Sequence, residues 1–171
     1  MRAYLLTHLS DSALLRDLQA LVVRDRITTA VLLAHIAEVD TRRLYAPAGY
    51  PSMHAYCVEK LGFSDDAAFK RTQAARVARR FPLLFKAVAD GRLHLTAVRL
   101  LAPHLTAENV EELVTASEHR RAWEIERLLA DRFPLAGQEE KKNRALVRAL
   151  PSVVVAARAT GHGSTGAARY H

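Results

Sequence analysis

Apolar residues recur along this chain at helical spacing, and short glycine-, proline- or polar-rich breaks separate the runs. From Asp11 to Asp40, Leu15, Val22, Thr29 and Ile36 repeat every seven residues, as do Leu18, Asp25, Leu32 and Val39. That is the pattern of one long helix packed along a seam, and Ser10 is placed to cap its first free N–H groups. The seam is polar in its middle, at Asp25, Thr28 and Thr29. Either Asp25 pairs with an arginine from elsewhere in the domain, or the polar break sets the register of a dimer contact.

The stretch YPSMHAYCVEKLGFSDDAAFKRTQAARVARRF, from Tyr50 to Phe81, reads as a short helix, a tight turn and a longer basic helix. Ser52 caps the first helix, which stops near Gly62, where the left-handed conformation is easily adopted. Ser64, with Asp65 and Asp66, opens the second. A connection of about three residues bends the two into a corner of the helix-turn-helix kind. On the second helix Ala67, Ala74, Val77, Ala78 and Phe81 fall to one side, and Gln73, Arg76, Arg79 and Arg80 to the other. Before it, RRLYAPAGYP is a loop that sets Tyr45 and Tyr50 beside Arg42 and Arg43. Such a mix can stack flexible nucleic acid, and two tyrosines anchoring a loop to a core have the same sequence.

Pro82 begins a further short helix that Gly91 ends, Thr96 is the expected cap of the next, and Pro103 closes that one. Thr106 then caps another, with Glu108 in its first turn, and a last helix holds Trp123, Ile125, Leu128, Leu129 and Phe133. No segment before Pro134 alternates as a strand would. The pattern therefore predicts an all-α, multi-helix bundle over residues 10–134, with a nine-residue extension before it and a basic, low-complexity flexible tail over 135–171.

Half of the 171 residues are hydrophobic, enough for one domain with a core. A single cysteine, Cys57, excludes an intrachain disulfide or a cysteine-based metal cage, and the N-terminal residues hold no run suited to a signal peptide or membrane span. A cytoplasmic protein is expected. The formal net charge of +7 is unevenly placed: residues 42–99 carry eleven Lys and Arg against four acids, between acidic flanks. Such a middle attracts polyanions, and no basic helix here has the large apolar face of a membrane-surface binder. Lys70, Arg71, Gln73, Arg76, Arg79 and Arg80 are the candidate DNA-contacting residues, with Lys70 turned toward the apolar side. The competing reading is a solvated face on an ordinary bundle helix, with the long first helix as a protein-interaction or homodimer contact.

Three apparent catalytic signals are weaker. His104, Asn109 and His119 follow the order of a metal-dependent nuclease site, but such a site needs a strand pair beside its helix. Gly161, Gly163 and Gly166 spell a dinucleotide-binding motif with too little chain after it for the helix and second strand. His54 and His94 have no companion nucleophile or carboxylate at useful spacing. No catalytic residue, cofactor or metal ligand is assigned.

The run RLYAPAGYPSMHAYCVEKLGFSDDAAFKRTQAARVARRFP, followed by DGRLHLTAVRLLAPHLTAENVEELV, resembles a bacterial helical domain of unassigned function that commonly precedes an HNH endonuclease module. The likeness covers roughly residues 9–134 and rests on AGYPSM, LGFS, AARVARRFP and GRLHLT in that order. It departs after Arg148 to Pro151, where relatives continue into further helices and the nuclease. The resemblance implies a non-catalytic, DNA-associating N-terminal portion that ends before the nuclease module.

Overall fold

The computed structural model describes residues 4–134, and the compact unit within it closes at Arg132. Seven α-helices make up this unit, and no strand occurs among the described residues. They are α1 (Asp11–Thr41), α2 (Met53–Ala55), α3 (Asp65–Arg80), α4 (Leu83–Ala89), α5 (Leu95–Leu101), α6 (Val110–Ser117) and α7 (Ala122–Arg132). The fold class is all-α, with one long N-terminal helix and a tight corner between α2 and α3. The expected tail, including the glycines at 161, 163 and 166, lies outside the described residues.

Local chemistry sets most of these boundaries. Ser10, Ser52 and Ser64 each accept a hydrogen bond from the N–H three residues on, at 3.3, 3.0 and 3.3 Å, so all three expected caps are in place. The short helix α2 runs directly into a π-helical segment, Tyr56–Lys60, in which Leu61 N–H reaches the Tyr56 carbonyl at 3.1 Å. Gly62, at φ +71, then turns the chain into α3. Two expected caps differ. His94, not Thr96, opens α5: its Nδ1 accepts from Ala97 N–H at 3.0 Å. Thr106 closes a turn with Asn109 rather than a helix, each side-chain oxygen accepting the other's N–H, and α6 starts only at Val110.

Helix α1 packs against α3 and α4, α3 against α5, α5 against α7, and α4 against α6. Leu33, Met53, Leu84, Leu101, Leu113 and Ile125 are fully enclosed between them. The covered face of α3 is built from alanines, Ala68, Ala74, Ala75 and Ala78, with Thr72, whose hydroxyl donates back to the Ala68 carbonyl. Side chains this small let α1 and α5 approach closely. Ala68 and Ala75 widen the face beyond the expected side, whereas Ala67 and Val77 are only half-buried. Tyr50 meets Tyr56 edge-on, ring centroids 5.2 Å apart, so this tyrosine anchors its loop to the bundle.

Candidate interaction site

The charge on the outward side of α3 is compensated from α1. Arg76 grips Asp40 through Nε at 2.7 Å and Nη2 at 3.4 Å, and Arg79 reaches Glu38 at 2.5 Å. Glu38 also accepts from Arg42 at 2.5 Å, so one carboxylate joins two guanidinium groups. Arg79, and after it Arg42, hold the Glu38 carboxyl below its ordinary range, and Asp40 raises the affinity of Arg76 for its proton. Lys70 is paired with Asp66 on its own helix at 2.7 Å. Arg71 is partly buried, stacks over the Phe63 ring at 5.0 Å and donates to the Ala67 carbonyl. Gln73 is half-buried, and Arg80 lies exposed against its neighbour Phe81.

The six expected DNA-contacting residues are therefore not one uncovered basic face. A phosphate approaching Arg76 or Arg79 would have to displace a charge-assisted bond and would meet Glu38 and Asp40 behind it. Those acids belong to the acidic flank of the sequence and fold back onto the basic middle, which is why charge counted along the chain overstates charge on the surface.

The long helix departs from expectation in the opposite sense. Only its C-terminal part is packed, with Ala30, Leu33, Ile36 and Ala37 buried. Leu15, Leu18 and Leu21 are 61, 55 and 60% exposed, and Leu14 and Val22 are exposed too. At about 100° per residue these five share a face with Leu33 and Ile36. The core stripe of α1 thus continues past the end of the bundle with no described residue covering it. Asp25, on the same face, is exposed and makes no ion pair among the described residues, so the expected partner arginine is absent. Leu14 and Leu21, seven apart, add a third pair to the two seven-residue series.

The nuclease-like trio is dispersed into structural roles. Asn109 closes the turn with Thr106 and donates from Nδ2 to the His104 carbonyl at 2.9 Å, and His119 sits in a left-handed turn at φ +56. Among the described residues no group of three or more His, Cys, Asp or Glu could hold a metal ion, and no helix is long and apolar enough to cross a membrane. Cys57 is buried, and burial pushes its thiol pKa up, away from nucleophilic use.

No family model matches the chain, and neither a curated protein nor a solved structure matches it significantly.

Proposed function

We propose that the chain is a non-catalytic helical assembly module, of the kind that the resemblance places ahead of HNH nuclease modules, and that it self-associates through the N-terminal half of α1. The observation that carries this reading is the exposed stripe Leu14, Leu15, Leu18, Leu21 and Val22. Residues 11–24 make a helical arm of about 21 Å that lacks the tertiary packing from which most helical stability comes. A second copy supplies that packing, because Leu14–Leu21 and Leu15–Val22 repeat at the interval that keeps two like helices on one seam. The exposed Leu5 and Leu6 extend the same kind of surface just before the helix.

The expected affinity is modest. Each Leu or Val gains about 1.5–3 kcal/mol on full burial, and these are already about half covered, so ten side chains from two copies contribute on the order of 10 kcal/mol. Association costs about 4–15 kcal/mol. The pair therefore forms reversibly and dissociates on dilution. Place in the cytoplasm fits a chain whose lone cysteine is buried and reduced.

DNA association through α3 is the weaker reading, since Arg76 and Arg79 are engaged by α1. Sedimentation of the full chain over a dilution series tests the choice. A dimer that dissociates on dilution, and that Leu18→Glu converts to a monomer of unchanged helical content, supports self-association. A parent that stays monomeric at every concentration overturns it.

A further inference from the structure

A cleft of about 850 Å³ opens on another side of the unit, where the middle of α1 passes the loop before α5 and the loop before α7. Arg26 and Arg71 line it from α1 and α3, Arg92 from the first loop, and Arg120 and Arg121 from the second. Only Arg92 is neutralised by carboxylates, bonding Glu118 at 2.5 Å and Asp90 at 3.3 Å. The guanidinium groups of Arg26, Arg71, Arg120 and Arg121 have no carboxylate partner among the described residues, and the one carboxylate lining the cleft is Asp25. Beyond Asp25 and the two acids on Arg92, no carboxylate of the described residues compensates this positive charge, in contrast to the face of α3.

The walls are held in place. His119 N–H donates to the Arg92 carbonyl at 2.9 Å. Because Nδ1 of His94 accepts the α5 capping bond, its Nε2 carries the proton and points to the Arg120 carbonyl at 3.3 Å. These two contacts tie the loop bearing Arg120 and Arg121 to the loop bearing Arg92. Arg26 lies flat on Gly91, where any Cβ would fall inside the guanidinium. The Nε of Arg71 is buried with no acceptor, an arrangement that is costly where it persists. Arginines on fixed backbone that line a shared space and mostly lack a carboxylate partner suit a tetrahedral oxyanion, which takes two-point bonds from guanidinium groups.

We propose that this cleft binds a phosphate group, presented either by a nucleic-acid backbone or by a small oligophosphate. The cleft uses none of the apolar stripe from Leu14 to Val22 and does not require self-association. Cleft volume lies within the range of small-ligand sites, and its open mouth also admits one strand of a duplex backbone.

The test compares the parent with Arg26→Ala/Arg121→Ala and with a charge-matched control, Arg24→Ala/Arg99→Ala, whose arginines are exposed and do not line the cleft. Two probes are titrated at low salt: a short labelled DNA duplex by anisotropy, and inorganic tripolyphosphate by the fluorescence of Trp123, the chain's single tryptophan. The expected result is binding of at least one probe, weakened about tenfold or more by the cleft variant and little changed by the control. Duplex binding that tripolyphosphate displaces identifies a backbone site, and tripolyphosphate binding alone identifies a small phosphorylated ligand. The proposal fails if neither probe binds the parent, or if the two variants lose affinity equally, which would reduce the effect to net charge.

Discussion

At the scale of single residues, carboxylates and caps decide more than their number suggests. Asp40 is largely covered and receives Arg76 through two nitrogens, so Asp40→Asn is expected to cost about 1 kcal/mol of stability by denaturant unfolding. A double-mutant cycle with Arg76→Ala should recover most of that coupling. Glu38 makes a pH-dependent contribution whose sign follows from its lowered pKa. The folded state favours the ionised carboxylate, so the stabilisation is complete above the ordinary value of 4.5 and is lost as pH falls through the lowered one. The difference in stability between the parent and Glu38→Gln should therefore be constant above pH 4.5 and shrink as pH falls through the lowered value, and a difference that stays constant to the most acid pH at which the parent folds would contradict the ion-pair role. His94→Ala removes the α5 cap at an expected cost of about 1 kcal/mol, and His94→Asn should restore most of it, because an amide oxygen also accepts from the N-terminal N–H groups.

At the scale of elements, α1 divides into two helices with different tasks. Residues 30–41 are held by α3 and α4, whereas residues 11–24 extend the same apolar face beyond them. Leu15→Glu and Leu18→Glu are expected to leave thermal unfolding of the bundle nearly unchanged in a dilute sample and to abolish association, as read by sedimentation. Much of the element order was legible in the sequence, since Ser10, Ser52, Ser64, Gly62 and Gly91 act through local backbone chemistry that neighbouring residues determine. The failures have a common physical cause. His94 caps α5 because its imidazole nitrogen reaches Ala97 N–H, a role that residue type alone scarcely signals. Periodicity shows which side of α1 is apolar but carries no information on how far along that side a partner extends. Pairing of Arg76 and Arg79 with Asp40 and Glu38, about forty positions away, depends on the crossing of α1 and α3. The arginines at 26, 71, 120 and 121 belong to three separate segments and become neighbours only in the folded chain.

At the scale of the whole molecule, the basic residues of the described unit separate into a face on α3 paired with α1 and a cleft whose arginines mostly lack carboxylate partners. If α1 suppresses polyanion binding on α3, the double variant Glu38→Gln/Asp40→Asn should bind a short duplex more tightly than the parent and with a steeper dependence on salt. Unchanged affinity and slope would show that Arg76 and Arg79 are unsuited to phosphate even when released. Self-association through one arm would leave the cleft, which lies at the other end of α1's exposed half, accessible in each copy. A paired scaffold carrying two basic clefts is consistent with a module that presents a neighbouring activity to a polyanionic target.

Amide hydrogen exchange along α1 at two protein concentrations tests the assembly proposal most directly. If a second copy covers the arm, exchange over residues 11–27 is slow in the concentrated sample and fast in the dilute one, while residues 30–41 stay slow in both. Fast exchange over 11–27 at both concentrations, or equal protection along the whole helix at both, would contradict it.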